Sequence, residues 1–396
     1  MKGLIAFFSL AVLILASCTI EKPLPVEFSV LERGNLGKVD TLVLYPVDEA
    51  EYWLPAAMGN ATRIHVGEHN NIRAHTLLRF YPYTLFDTTY TINGADLVFT
   101  QIASYGIDTG DSLSVTIYPL KTSEWDEDDV LWSDIADQIE LTEPLANFKV
   151  PFSDSGLVHC SLPPELIVEW INSEDENNGI IISSDNNSFL AGFLAYESYE
   201  AASYIDIAYE KDTTIDTVSL TASEEATVAE HFNPDPDNEI HRDKERLILG
   251  NMSCYRSLLR FDLSQVPEKS TIHLTTLKLN IDNENSEGYN GLIAAANFIT
   301  SDSVWDTSTL KVDSLITRPM AAAYIDDGYF KLSSTLYYFS DAWIMGSSTP
   351  NYGILLEPYA YGYDPSELHF YTSSTTSDSL KPTLMITYTE PPDPRF

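Results

Sequence analysis

The spacing His65-x-x-Glu68-His69 would, on one face of a helix, set two imidazoles to hold zinc and a carboxylate to activate water. The surrounding residues read as a strand ending at Gly67, and an internal repeat carries Ile248 and Asn251 where His65 and Glu68 stand. The zinc spacing is therefore read as coincidence. Acidic loops at Asp126-Glu127-Asp128-Asp129, Asp235-Pro236-Asp237-Asn238-Glu239 and Asp282-Asn283-Glu284 could gather oxygens for a structural Ca²⁺. None has the twelve-residue calcium-loop pattern with its central glycine, so they read as solvated turns. Arg79 and Arg260 recur at one strand position and could bind an acidic sugar. The plainer role is a partly buried arginine paired with a carboxylate, Asp262 being two residues from Arg260 on the same strand face. Trp125, Trp305, Trp170 and Trp343 also recur, which assigns them to packing.

One aromatic group has no counterpart in the repeat. Tyr359, Tyr361 and Tyr363 alternate between Pro358 and Pro365, and would share one face of an extended segment. Such a face suits the C–H surfaces of sugars, with the hydroxyls left to hydrogen-bond. These three are the candidate ligand residues; a loop folded over the end of a sandwich is the alternative. No nucleophile triad, phosphate loop or dinucleotide fingerprint is present, and no catalytic or metal residue is assigned. The expectation is a protein without enzymatic activity. A glycan lyase or hydrolase is the rival, and it would need a cleft holding two or more carboxylates or Tyr, His or Arg groups.

Those residues must be positioned by a chain of 396 residues with 59 acidic against 22 basic side chains, a formal charge of −37. That charge repels nucleic acid and anionic membrane faces. Three cysteines rule out a disulfide scaffold or a four-cysteine zinc site; Cys160 and Cys254 read as buried thiols.

Lys2 precedes an apolar run from Leu4 to Leu15, too short to span a bilayer and right for a signal peptide. The run ends in Leu15-Ala16-Ser17-Cys18, which resembles the bacterial lipobox. The resemblance implies cleavage before Cys18 and lipidation of that residue, hence an envelope location on a lipid anchor. With no aspartate after Cys18, the outer membrane is expected. Residues 19–38 then form a polar tether.

Two copies of one unit follow, at 39–210 and 215–390, joined by Lys211 to Thr214. Val39-Asp40-Thr41-Leu42-Val43-Leu44 returns as Ile215-Asp216-Thr217-Val218-Ser219-Leu220, Leu77-Leu78-Arg79-Phe80 as Leu258-Leu259-Arg260-Phe261, and Trp125-Asp126 as Trp305-Asp306. Ordered matches at offsets of 173 to 183 residues establish the repeat. Short β-branched and aromatic runs between turn clusters predict an all-β pair of tandem jelly-roll or β-sandwich domains packed end to end. One helix is expected after Pro163-Pro164, with Leu166, Ile167, Trp170 and Ile171 at helical spacing.

Ser257 to Pro267, Trp305-Asp306, Asn351-Tyr352-Gly353 and the terminal Pro382-x-Leu384-x-Ile386-x-Tyr388 resemble the DNRLRE (disaggregatase-related) domain. The first copy is a degenerate version, with Tyr81-Pro82 after Phe80. The resemblance implies a jelly roll like those of carbohydrate-binding modules on secreted and surface proteins. The resulting expectation is a surface-anchored, non-catalytic lipoprotein that binds extracellular or cell-wall polysaccharide. The runner-up is a structural or adhesion protein of the envelope with protein partners. The negative charge favours a neutral glycan, or an acidic one bridged by Ca²⁺.

Overall fold

The computed structural model describes residues 38–391, with interruptions at 88, 122–124, 139–142, 173–176, 185–188, 199–201, 233–239, 243–244, 289–292, 300–304, 306–315, 327–328, 333–336 and 345–349. Cys18, most of the tether and the loop Asp235 to Glu239 lie outside the described residues. The fold is all-β: antiparallel strands curl into two sandwiches, each with one principal helix. No helix among the described residues is long and apolar enough to cross a membrane.

Alternation of apolar and polar residues dictates the strands. In Thr383–Thr389 every second side chain, Leu384, Ile386 and Tyr388, is buried, and the residues between them face outward. The helix Pro164–Asn172 starts at its proline and buries Leu166, Ile167 and Trp170 in the first core. Tyr337–Ile344 takes the corresponding place beside the second core, which Trp343 and Ile344 touch.

The repeat boundary and the sandwich boundary do not coincide. The N-terminal segment, strands Val39–Leu44 and Pro46–Trp53, pairs with Thr383–Thr389 and with Tyr255–Phe261 of the second repeat. The segment that opens the second repeat, Thr214–Thr221 and Glu224–His231, pairs with Tyr204–Lys211 and with Ile72–Arg79 of the first. The repeats thus exchange equivalent two-strand segments. Lys211 to Thr214 is no inter-domain joint; Lys211 pairs with Thr214 across a tight turn in which Asp212 takes φ 57°.

The exchange carries core residues with it. Leu44, with Leu42 beside it, packs among Leu277, Leu279, Leu384 and Ile386 of the second core. Ala222, with Val218 and Leu220, completes the first. A buried leucine of this kind contributes about 2–5 kcal/mol against truncation to alanine. Neither sandwich is complete without the segment drawn from the other repeat.

Candidate functional site

The recurring arginines mark the exchange. Arg260 Nε donates to Asp48 Oδ2 at 2.7 Å, and Arg79 is ion-paired with Glu224. Each guanidinium also lies over the recurring tryptophan, at 4.4 Å for Arg79 on Trp125 and 5.2 Å for Arg260 on Trp305. The indoles are fixed in turn: Trp125 Nε1 donates to the Asn178 carbonyl at 3.0 Å, and Trp305 Nε1 to the Tyr352 carbonyl at 2.7 Å. The arginines are structural, as the sequence suggested, but their carboxylates come from the exchanged strands Pro46–Trp53 and Glu224–His231. Asp262 folds instead onto the Ser264 N–H at 2.9 Å, because its strand has ended at Phe261.

His65 and His69 sit on the strand Arg63–His69, with no helix to bring them onto one face. His65 is wholly buried, and burial pushes its value down to about 3, so it stays neutral. His69 Nε2 lies 2.8 Å from Glu287 in the second sandwich. Among the described residues no three His, Cys, Asp or Glu side chains gather in a metal-holding group. In the acidic loops, Asp282 accepts from Arg246 Nε at 2.6 Å and from Asn285 Nδ2 at 2.7 Å, as a turn carboxylate does. Asp126 Oδ1 closes a turn on the Asp128 N–H at 2.9 Å. Cys160 and Cys254 are free and buried.

The three tyrosines do not form one face. Their segment turns at Gly362, φ 74°, where a Cβ would come within 2.7 Å of Met58 Cβ. Tyr361 lies 4.9 Å beneath the Arg256 guanidinium and packs in the apolar cluster between the sandwiches, with Trp53, Met58, Tyr105 and Cys254. Tyr363 stacks under Arg63 at 4.1 Å, and its hydroxyl accepts from Arg63 Nη2 at 3.0 Å. Only Tyr359 is exposed, at 61%. Two of the three rings clamp one sandwich to the other.

That clamp leaves a cleft of about 420 Å³ between the sandwiches. The first sandwich contributes the Asn70-Asn71 turn, with φ 48° and 62°, together with His231 and Phe232. Positive φ at both turn residues is the two-residue hairpin geometry that asparagine tolerates. The second sandwich contributes Tyr255, the loop Glu284 to Glu287, and Glu367; Trp53 closes the base from the exchanged strand Pro46–Trp53. Trp53 and His231 meet edge to face at 5.1 Å, and His231 Nε2 lies 2.8 Å from the Met252 carbonyl. The lining joins aromatic faces to amides, hydroxyls and carboxylates.

Two cleft carboxylates, Glu287 and Glu367, are directly opposed: each backbone N–H donates to the other's carbonyl at 2.8 Å. Both side chains already have partners. Glu287 is held by His69 and Asn70, and Glu367 lies 3.0 Å from His369 Nε2. Burial is the largest single influence and works to raise Glu367, yet the His369 and Ser253 contacts together outweigh it and keep the carboxyl below the usual range. Neither the histidine pattern nor the tyrosine alternation points to this cleft. The Asn-Asn turn and the Glu284 loop were the available signals, but only a structure shows that they face each other.

No protein-family model matches the chain, and no curated protein matches it. Among solved structures, a chain named "BspA_C_WT" shows 9% identity over 86% of this chain and 90% of its own, with a TM-score of 0.18. The Streptococcus agalactiae AgI/II polypeptide BspA C-terminal domain shows 10% identity over 86% and 91%, at 0.16. Superposition of that extent carries no inference about function.

Proposed function

We propose that this protein is a lipid-anchored, non-catalytic glycan-binding protein of the bacterial envelope, holding its ligand in the cleft between the sandwiches. The observation that carries the reading is the cleft lining. Trp53, Phe232 and Tyr255 offer aromatic surface beside the amides of Asn70, Asn71 and Asn285. That mixture suits a sugar, which presents apolar C–H faces and a rim of hydroxyls. Glu284, Glu287 and Glu367 would repel an acidic sugar, so the class is a neutral glycan. The lipobox at Cys18 and the DNRLRE resemblance support the envelope setting. A glycan array on the chain lacking residues 1–18, run with Ca²⁺ and with chelator, tests the reading. Binding of neutral glycans unaffected by chelator is expected; no glycan bound under either condition would refute it.

A glycan hydrolase or lyase is the second reading, favoured by the opposed Glu287–Glu367 pair. A general acid at neutral pH needs a raised value, and Glu367 is shifted the other way. A reducing-end and unsaturated-sugar release assay separates the two: steady product formation would establish the enzyme.

A further inference from the structure

Four of the six tryptophans, Trp125, Trp305, Trp170 and Trp343, recur between the repeats and pack against the cores. Trp53 and Trp132 do not recur. The strand Glu224–His231, equivalent to that of Trp53, has no tryptophan, and the second repeat has none between Trp305 and Trp343. Both of these unmatched indoles line one pocket of about 280 Å³, beside Pro55, Val130, Ser133 and Ala229. Trp53 and His231 line the large cleft as well, so pocket and cleft adjoin at that edge-to-face pair. The volume is at the lower end of small-molecule sites, about 300–1,000 Å³, which fits one unit of a ligand rather than a whole one.

Trp132 is held as a platform. Val130 and Ile135, either side of it, are buried in the cluster of Leu77 and Val228, while Trp132 stays half-buried. The Leu131 N–H donates to Asp134 Oδ2 at 2.9 Å and fixes the turn. Against the indole lies the His75 ring, parallel within 9° and 4.3 Å away. His75 Nδ1 is 2.9 Å from Ser183 Oγ, and burial lowers its value, so the backing ring is neutral. An indole fixed in this way has little freedom left to lose when another ring stacks on it.

We infer that the Trp132 pocket is a second sugar subsite contiguous with the cleft, and that the ligand is a neutral glycan chain lying across both. The inference rests on the glycan-binding reading for the class of ligand and adds the length that ligand must have. A sugar C–H face stacks on the Trp132 indole, and the exposed Ser133 hydroxyl meets its rim. A unit tethered to one already seated in the cleft arrives at high effective concentration, so one stacking contact raises affinity strongly. Continuity with the cleft selects the same chain as occupant over an unrelated apolar partner.

Calorimetry on the chain lacking residues 1–18 tests the subsite with cellobiose, laminaribiose and mannobiose beside their hexasaccharides. At least one hexasaccharide should bind wild type tenfold or more tightly than its disaccharide. Trp132→Leu, which keeps an apolar cover over His75, should remove that gain and leave disaccharide affinity unchanged. Trp132→Tyr should retain the gain, and Tyr255→Ala in the cleft should weaken both lengths. Fluorine NMR of fluorotryptophan-labelled wild type reads the site without a destabilised variant: the hexasaccharide should shift the Trp132 resonance, assigned with Trp132→Tyr. An unshifted resonance, or equal affinity for both lengths, with Tyr255→Ala still weakening both, would remove the subsite and leave the cleft reading standing. Binding lost in Trp132→Leu at both lengths and untouched by Tyr255→Ala would confine the ligand to the pocket, overturning the cleft reading and the joined site. No probe bound to wild type would overturn both. A dimer in sedimentation that Trp132→Leu dissolves, with no sugar bound, would make the pocket a contact between copies and reject the proposal.

Discussion

Asp48 and Arg260 lie 212 residues apart in sequence, yet stand directly opposite each other on neighbouring strands and share a 2.7 Å hydrogen bond. Glu224 and Arg79 repeat the relationship in the first sandwich. In both, an acid from one repeat's opening two-strand segment closes on an arginine of the other repeat. The connection makes the two sandwiches one interlocked body rather than two beads.

The exchange is open to direct trapping. The Thr41 and Thr387 hydroxyls are 3.2 Å apart on opposed strands, so Thr41→Cys/Thr387→Cys should oxidise to a disulfide. Thr41→Cys/Ala208→Cys, the pair that would be opposed if each opening segment stayed with its own repeat, should not. Non-reducing peptide mapping reads both, and the reverse pattern would reject the exchange.

The two ion pairs should differ in worth because they differ in burial. The Arg79 side chain is 8% exposed against 31% for Arg260. Arg79→Ala should cost about 3 kcal/mol, the range for breaking a pair out of water. Arg260→Ala should cost about 1 kcal/mol, because solvent screens an exposed pair. Chemical denaturation of both variants gives the comparison.

Stability should fall as pH rises through the neutral range. Glu225 is buried on the exchanged strand Glu224–His231, and burial pushes its value from 4.5 up to about 8. Its Oε1 accepts the Tyr196 N–H. A carboxyl whose folded value is raised supports the fold fully only below its unfolded value. The support declines by about 1.4 kcal/mol per pH unit above it and is gone beyond the folded value. The window is therefore about pH 4.5 to 8. Glu225→Gln keeps the Tyr196 acceptor and should flatten this part of the Tm–pH curve, gaining over wild type at pH 8 and not at pH 4.

Much of this was legible in the sequence. Alternation in segments such as Thr383–Thr389 gave the strands, Pro164 with its helical spacing gave the helix, and the ordered matches gave the repeat. The strand exchange was not legible, because equivalent segments fit equivalent slots and nothing local says which one fills which. The tyrosine alternation misled for a related reason: period two implies one face only if the backbone is extended, and Gly362 at φ 74° turns it. The cleft was hidden because its two walls are separate loops, brought together by the contacts of Tyr361 and Tyr363.

That clamp should be sensitive to one methyl group. Gly362→Ala would press a Cβ to 2.7 Å from Met58 Cβ at a backbone angle alanine resists. A loss of about 1–3 kcal/mol is expected, with hydrogen exchange rising first around Met58 and Met252.

Affinity for a neutral oligosaccharide, taken from the array, tests the central claim most directly. Measured calorimetrically on wild type, Tyr255→Ala and Tyr359→Ala, binding should weaken tenfold or more in Tyr255→Ala, about 1.4 kcal/mol. The exposed Tyr359 should be dispensable. Binding abolished by Tyr359→Ala and untouched by Tyr255→Ala would place the ligand on the loop and contradict the cleft.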